Sequence, residues 1–460
     1  MNAVKITGII LLYFNQFFRN RLFFNSLLIA GVVVFSFQIL VISKIEPIWE
    51  VFGDPSDYLF QSKKELFSLE FLSPIPNKWF SVRPFTTSLF YKLADSDPYK
   101  MIMLQKLLHC FCTVAFSLIF IFFIDSFVLK IIAFYLFLFL FSWLNIVGWT
   151  NNILSESISN SLLFLWLGFL MLFALRNNWL VTILFCLLSL FFSFTRDSCP
   201  YIILLATGIV LVGNIFLNKK DLSKNGVALF FCLLLFIIQG KTSEIGQRHK
   251  VPVFNNIVGR VSKSDDYLKW FENHGMPLAS HIKKDFINQN VDSQKDRPFI
   301  YSKYRDSTYL PLMNWSAKEG KSVYLLFMVT HPSYFFLSDQ NSKQINRIFC
   351  YNFYGYFFKE VNLNDLTQNT FPIWDLPTSI ILALLLFLFS IYFKNALYAI
   401  PLLITFLFFV NALILYNADT MEVERHLYHT QIIIQLLNII SFSLLLNIFI
   451  NLFKRKLNGI

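Results

Sequence analysis

Apolar residues run in long blocks along most of this chain, and the polar residues gather between the blocks. A bilayer core about 30 Å thick is crossed by about 20 apolar residues in a helix, so a block of roughly that length predicts a membrane-spanning helix. The pattern therefore predicts an all-α polytopic membrane protein with about ten transmembrane helices, of which 227–238 is the shortest. The blocks are 27–43, 107–124, 131–148, 158–175, 179–195, 201–217, 227–238, 378–393, 396–416 and 432–453.

The positive charges between the blocks predict the orientation of the helices, because short cytoplasmic loops collect Lys and Arg. If both termini are cytoplasmic, every internal turn carries a cation. These cations are Arg19, Arg21, Lys130, Arg176, Lys219, Lys220, Lys224, Lys394, Lys454, Arg455 and Lys456. The chain then divides into an N-terminal membrane domain (1–240) with a first outer loop (45–100), an extracytoplasmic segment (241–376) and C-terminal membrane helices (377–460).

Composition supports a membrane protein and argues against a nucleic-acid partner. The chain is 56% hydrophobic and 15% charged, with a mean hydropathy of +0.55, which is more apolar surface than a soluble domain can bury. Its net charge of +11 comes largely from residues at the ends of the blocks, where they set topology. We therefore expect a multi-pass protein of the cell inner (plasma) membrane whose first helix is an uncleaved anchor.

A further apolar run, 323–337, lies inside the extracytoplasmic segment and is interrupted by His331 and Pro332. If this run crossed the membrane, it would break the orientation that the charges support. We expect it to form a helix that lies at the interface or packs on the membrane domain.

The first outer loop contains the sequence GDPSDYL, which holds Asp54 and Asp57. Asp54 before Pro55 has the character of a helix N-cap, and Asp57 would then lie in the first turn. A carboxylate at the outer interface could also act as a base in a group-transfer reaction, by accepting the proton of the acceptor hydroxyl group. Arg83, later in the same loop, is either an interfacial anchor or a cation placed for a lipid phosphate.

Other acidic residues have structural explanations as well as chemical ones. Asp95 and Asp97 form a D-x-D pattern that can hold a divalent metal, but Asp97 before Pro98 is more typical of a cap on the second membrane helix. Glu156 lies near the start of the fourth helix, where the helix dipole favours a carboxylate. Arg196 and Asp197 share a tight outer turn, in which they could pair with each other.

The last outer link carries the densest group of ionisable residues in the chain, and ionisable residues at membrane depth usually mark function. The group consists of Glu422, Glu424, Arg425, His426 and, one turn later, His429. The chain has no Gly-rich phosphate loop, no H-E-x-x-H, no G-x-S-x-G and no paired C-x-x-C, so ATP-driven transport, zinc proteolysis and elbow-type hydrolysis lack support.

Together these motifs resemble those of the GT-C superfamily of integral membrane glycosyltransferases. GDPSDYL is similar to the D-x-x-x-Y-L signature of the first outer loop, and RPF at Arg83 is similar to the element that follows it. LSES before the fourth helix, TRD after the fifth, HPSYFF in the extracytoplasmic segment and ERH before the last helix are similar to elements of many such chains.

The resemblance implies a GT-C-like fold, a polyprenyl-phosphate sugar donor and an active site on the extracytoplasmic face. It makes Asp54 the catalytic carboxylate, with Asp57 as the alternative. We expect Arg83, Arg196 and Arg425 to bind the donor phosphate. The expected substrate-binding residues are Glu156, Glu424, His426 and His331. The first loop lacks the adjacent acidic pair of some family members, so the sequence requires no metal site and leaves open a divalent cation (Mg²⁺ or Mn²⁺).

The predicted reaction transfers the sugar, with inversion and an Asp general base, to an extracytoplasmic glycolipid, polysaccharide or protein. A lipid phosphate is already a good leaving group, so one base and several arginines can suffice. The alternatives are an O-antigen or polysaccharide polymerase or ligase, which would depend on Arg425 or His331, and a lipid-linked sugar flippase or transporter. The transferase hypothesis requires Asp54, Glu156, Arg196 and Arg425 to share one site.

Overall fold

The computed structural model describes residues 21–42, 54–65, 83–142, 144–176, 178–216, 222–289, 297–304, 306–335, 376–418 and 423–457. Across these ranges the chain is helical, with no β-strand. The helices of the N-terminal half are α1 (Arg21–Phe37), α2 (Asp54–Ser62), α3 (Phe85–Leu93), α4 (Pro98–Ile121), α5 (Phe127–Phe141), α6 (Ser155–Leu175), α7 (Trp179–Ser193), α8 (Cys199–Phe216) and α9 (Ser223–Ile245).

Shorter helices follow, and then three long ones. They are α10 (Lys250–Gly259), α11 (Asp265–Asn273), α12 (Ala279–Phe286), α13 (Arg297–Lys303), α14 (Leu310–Trp315), α15 (Lys321–Thr330), α16 (Leu376–Phe393), α17 (Ile400–Ala418) and α18 (Val423–Leu457). A 3₁₀ turn, Gly148–Asn151, leads into α6, and another, Ala396–Ala399, leads into α17.

The apolar helices confirm an all-α polytopic membrane protein. Six stretches in the described ranges are long and apolar enough to cross a membrane, namely Arg21–Val41, Pro98–Ile121, Ser155–Leu175, Ser223–Ile245, Ala396–Leu415 and Ile432–Phe453. Four shorter apolar helices, Phe127–Phe141, Trp179–Ser193, Cys199–Ile215 and Pro377–Phe393, coincide with the other predicted blocks. That all ten cross the membrane stays a prediction.

The shortest predicted block became one of the longest helices. The sequence predicts a helix over 227–238, whereas α9 spans 23 residues. Polar residues extend it at both ends, and Gln239 is buried near its C-terminal end. Hydropathy alone undercounts such a helix, because its end turns carry polar side chains that still take helical hydrogen bonds.

The second membrane helix, α4, begins directly after its N-cap residue, Asp97. Asp97 Oδ1 accepts a hydrogen bond from the Lys100 backbone N–H at 2.9 Å, and Pro98 occupies the first helical position. This confirms the interpretation of Asp97 as a cap. Asp95 pairs with Lys100 at 2.6 Å, and both side chains are exposed.

Two clusters of buried hydrophobic residues organise the described chain. One joins the long helices, and Phe rings dominate it, as in the pair Phe141 and Phe164, whose centroids lie 4.5 Å apart. The other lies within 251–334 and is centred on Phe254, Phe271 and Phe327, each fully buried. The segment after α9 therefore has a core of its own.

The apolar run in that segment forms a shorter helix than 323–337. Helix α15 ends at Thr330, because Pro332 cannot continue it, and a 3₁₀ turn (Pro332–Phe335) follows. Its buried face enters the second cluster. The Tyr324 hydroxyl donates to the Asn417 carbonyl oxygen near the end of α17 at 3.2 Å, as does Asn256 Nδ2 at 3.2 Å. The segment thus packs on the end of a long apolar helix.

Candidate functional site

The first ion pair of the candidate site joins α2 to Arg83, which lies two residues before α3. Arg83 Nη2 lies 3.1 Å from Asp57 Oδ2, and the two side chains are 15% and 2% exposed. Gln61, one turn after Asp57, fixes the Arg83 backbone, because its Oε1 accepts from Arg83 N–H at 2.7 Å and its Nε2 donates to Arg83 C=O at 3.0 Å. The guanidinium also lies over the Tyr58 ring, 5.5 Å from its centroid.

Two tyrosines connect this pair to the start of α6. The Tyr58 and Tyr91 rings meet edge to face with centroids 6.2 Å apart. The Tyr91 hydroxyl lies 3.0 Å from Gln105 Oε1 and 3.1 Å from the Leu154 carbonyl oxygen, to either of which it can donate. Burial raises the pKa of Tyr91 well above its usual value, and electrostatic interactions with Tyr58 and Glu156 raise it further. Tyr91 is therefore a neutral hydrogen-bond donor.

The second ion pair lies at the N-terminal end of α6. Arg196, in the turn between α7 and α8, places Nη2 3.6 Å from Glu156 Oε1, and the side chains are 9% and 0% exposed. The Ser155 hydroxyl donates to Glu156 Oε2 at 3.2 Å. A buried charge needs a partner of opposite sign, and the helix dipole adds to the stabilisation of the carboxylate.

His429 joins this second pair. It lies on α18, before the apolar window Ile432–Phe453, and is fully buried. Burial lowers the pKa of His429, the Arg196 charge lowers it further, and Glu156 opposes that effect, so both members of the ion pair act on the ring. The imidazole is consequently neutral, with one donor and one acceptor nitrogen.

The structure locates the other predicted site residues less closely. Asp54 is the first residue of α2 and Glu424, Arg425 and His426 lie in the first turns of α18, but the side chains of all four lie outside the described part. Positions 425 and 426 precede His429 by about one helical turn.

His331 belongs to a different neighbourhood. Its ring stacks on Phe327 at 4.5 Å between centroids and meets Trp270 edge to face at 5.5 Å. These partners belong to the second hydrophobic cluster, which contributes no residue to the two ion pairs.

The prediction that Arg196 and Asp197 pair with each other is wrong. Arg196 reaches Glu156, whereas Asp197 accepts from Arg248 Nη2 at 2.8 Å and from Gln239 Nε2 at 2.8 Å. The two residues point into separate networks because the turn between α7 and α8 presents successive side chains to different sides.

No described set of side chains fits a divalent cation. Among the described residues there is no group of three His, Cys, Asp or Glu side chains that could hold a metal ion. The two buried carboxylates of the site, Asp57 and Glu156, each have a guanidinium as partner, which already supplies the positive charge.

The sequence patterns missed Tyr91 and Asn160, and they included His429 in the ionisable group of the last outer link without assigning it a role. Asn160 lies one turn after Glu156 on α6 and is 3% exposed. Its signal was available, because SESISNS opens an otherwise apolar helix with six polar residues in seven. His429 follows the ionisable group of the last outer link by one turn, which was a signal of position but not of contact.

The chain has matches among solved structures. No family model matches the chain, and no curated protein matches it. Among solved structures, it is similar to the archaeal oligosaccharyltransferase AglB from Archaeoglobus fulgidus, solved in complex with an inhibitory peptide and a dolichol-phosphate. The TM-score is 0.41 and the identity 12%, over 95% of this chain and 52% of that chain. This chain thus spans about half the length of the protein it matches.

Proposed function

We propose that this protein is a membrane glycosyltransferase that moves a sugar from a polyprenyl-phosphate donor to an extracytoplasmic glycolipid, polysaccharide or protein. The observation that carries the proposal is the arrangement of two buried carboxylate–guanidinium pairs, Asp57–Arg83 and Glu156–Arg196, which the two tyrosines Tyr58 and Tyr91 connect. Residues separated by up to 139 positions, 57 to 196, are thereby linked through contacts between helices.

The first pair suits the leaving group and the base. Arg83 is the more exposed of the two arginines, and a lipid phosphate can take the place of the Asp57 carboxylate on its guanidinium. That exchange releases Asp57 for the acceptor. The acceptor oxygen attacks the anomeric carbon, its proton passes to a carboxylate of α2, and the bond between the anomeric carbon and the phosphate oxygen breaks, with its electron pair leaving on the phosphate.

Helix α2 offers two positions for that base. Asp54 and Asp57 are three residues apart and therefore lie on the same side of the helix. Direct attack inverts the anomeric carbon, and the arginines stabilise the charge that develops on the phosphate as water is excluded. No metal is required for any of these steps, and a cation bound with the donor would add to the same stabilisation.

Transfer from a labelled donor tests the proposal. The protein in lipid nanodiscs is mixed with polyprenyl-phosphate-linked sugars and a membrane extract that supplies acceptors, and the label is followed into products. Wild type should transfer at least one sugar, and Asp54→Ala and Asp57→Asn should separate the two candidate bases. Asp265→Asn is a matched control, because this exposed carboxylate pairs with Lys283 outside the site.

Each outcome has a defined meaning. Equal transfer by wild type and both aspartate variants would remove the Asp base from the mechanism. Dependence on Arg425 and His331 instead would favour a polymerase or ligase. Movement of the sugar head group across the bilayer with an intact donor would replace the enzyme by a transporter.

A further inference from the structure

Three buried polar side chains near the Glu156–Arg196 pair make no hydrogen bond within the protein. Asn151 and His429 are 0% exposed and Asn160 is 3% exposed. Both amide atoms of each asparagine and both ring nitrogens of His429 lack a partner. Buried polar atoms in native proteins are nearly all paired, so six such atoms in one region require an explanation.

These side chains are grouped around the start of α6. Asn160 follows Glu156 by one helical turn, and Asn151 ends the 3₁₀ turn that leads into the same helix. His429 approaches from α18 and feels the charges of both Glu156 and Arg196. The backbone beside Asn151 is fixed, because Gln105 Nε2 donates to the carbonyl oxygens of Thr150 at 2.9 Å and Asn152 at 3.0 Å.

The chemistry of the group selects the ligand. An amide and a neutral imidazole each offer a donor and an acceptor, and Glu156 offers acceptors only. A phosphate has acceptors but few protons to give, so the amide oxygens and the carboxylate would repel it. A hydroxyl group both donates and accepts, and it therefore matches every member of the set.

We infer that Asn151, Asn160 and His429, together with Glu156, bind the hydroxyl groups of the donor sugar, while the lipid phosphate is bound by arginine. This inference rests on the proposed function and extends it, because it assigns separate residues to the sugar and to the phosphate. The sugar hydroxyls complete the hydrogen bonds that these side chains do not make within the protein. A sugar that lacks one of the matching hydroxyls leaves a buried amide or imidazole atom unpaired and is rejected.

Two lipids that differ only in the sugar test the inference. Binding to the protein in nanodiscs is measured for undecaprenyl phosphate and for undecaprenyl-phosphoryl hexoses and pentoses. Wild type should bind at least one sugar-bearing lipid more tightly than undecaprenyl phosphate. Asn160→Leu should reduce that advantage by about tenfold, as expected for the loss of hydrogen bonds to a ligand, and leave the affinity for undecaprenyl phosphate unchanged.

Thermal unfolding supplies a second readout. Leucine fills a similar volume without polar atoms, so Asn160→Leu should unfold at the same or a higher temperature than wild type. His429→Phe should behave in the same way, and His429→Gln keeps a donor and an acceptor if the larger ring disturbs the fold.

Asn225 gives a matched control. It is 1% exposed, both its amide atoms also lack a partner, and it lies near the start of α9, where Lys224 is close to Trp179 at the beginning of α7. Arg196 follows the other end of α7, roughly 20 Å away at 1.5 Å per residue. Asn225→Leu should therefore preserve both stability and the sugar advantage.

The outcomes separate this inference from the proposed function. If wild type prefers or transfers a sugar-bearing lipid while Asn160→Leu and His429→Phe keep the full preference, the side chains bind ordered water only and the inference fails by itself. A marked drop in the unfolding temperature of Asn160→Leu with unchanged sugar preference has the same meaning. If wild type neither prefers nor transfers any sugar-bearing lipid, the proposed function fails, and the inference with it.

Discussion

Arg196 and Asp197 are neighbours in the chain, yet they belong to ion pairs of different character. Asp197 is 44% exposed and accepts short hydrogen bonds from Arg248 Nε at 3.0 Å and Nη2 at 2.8 Å. Arg196 meets a fully buried Glu156 at 3.6 Å, beside polar atoms that lack partners. The tighter pair joins the turn after α9 to the turn after α7, so it acts as a brace.

The looser pair has the properties expected of a binding site. Buried polar side chains without hydrogen bonds, such as Asn151, Asn160 and His429 beside this pair, cost stability, and they persist where a ligand completes their hydrogen bonds or where function requires them. Comparing the two pairs therefore gives a criterion. Variants of the Arg248–Asp197 brace should change stability alone. Variants of the Glu156–Arg196 pair should change both stability and activity, and the two changes should be independent of each other.

The largest effect is expected at Glu156. Glu156→Gln removes the buried carboxylate that faces the Arg196 guanidinium, which should lower the free energy of unfolding by about 3 to 5 kcal/mol. Glu156→Gln combined with Arg196→Met removes both charges, so it should recover most of that stability while transfer stays lost. Unfolding in detergent and transfer assays measure the two quantities. If the double variant recovered both stability and transfer, the Glu156–Arg196 pair would have the same purely structural role as the Arg248–Asp197 pair.

Asp57→Asn tests whether the Asp57–Arg83 pair is a structural brace or part of the functional site. If Asp57 is the base, transfer should fall by about 10²- to 10⁴-fold, the usual contribution of general base catalysis, with little change in the affinity for the donor. The rate and the Michaelis constant are measured separately. A loss of stability with an unchanged rate per folded molecule would class Asp57–Arg83 with the brace.

Arg248→Ala should have a smaller effect. Water can solvate the exposed Asp197 carboxylate, so we expect a loss of about 1 to 2 kcal/mol in the free energy of unfolding. Transfer below the unfolding temperature should match that of wild type. Lys100→Gln, which breaks an exposed pair with Asp95, is the control for a surface charge and should leave stability close to that of wild type.

The smallest effect concerns pH and the residue after Arg248. Burial lowers the pKa of His249 from its usual value of 6.5, and its Nε2 lies 3.0 Å from the Ala317 carbonyl oxygen. Below about pH 6.5 the unfolded chain binds a proton that the folded chain resists, so stability should fall as pH decreases from 7 toward 5. His249→Gln should reduce this slope slightly, as unfolding measured across that range would reveal.

The apolar pattern located the ten helices because their length and composition are local properties. The cap of α4 was also local, since Asp97 and Pro98 define it within two residues. The partners of Arg196 and Asp197 could not be predicted in the same way. Asp197 pairs with a residue 51 positions later, and the direction of each side chain depends on how α7, α8 and α9 pack.

The site residues also divide into those that the local sequence predicts and those that only the structure reveals. Asp57, Arg83, Glu156 and Arg196 were predicted from residue type and position, and the structure pairs them two by two. Tyr91 carries no motif, so only its contacts with Gln105 and the Leu154 carbonyl oxygen reveal it. His429 belongs to the ionisable group of the last outer link, but its closeness to Glu156 and Arg196 appears only in the structure. The roles assigned to all of these residues remain predictions.

The carbonyl oxygen of Asn417 has a consequence for protein engineering. It lies in the last turn of α17, where main-chain acceptors have no partner within the helix, and both of its hydrogen bonds come from the segment after α9. That segment consequently completes the end of a membrane helix. Excising it as a detachable module would strip this terminus of its ligands, so shortened versions need a replacement for Tyr324 and Asn256.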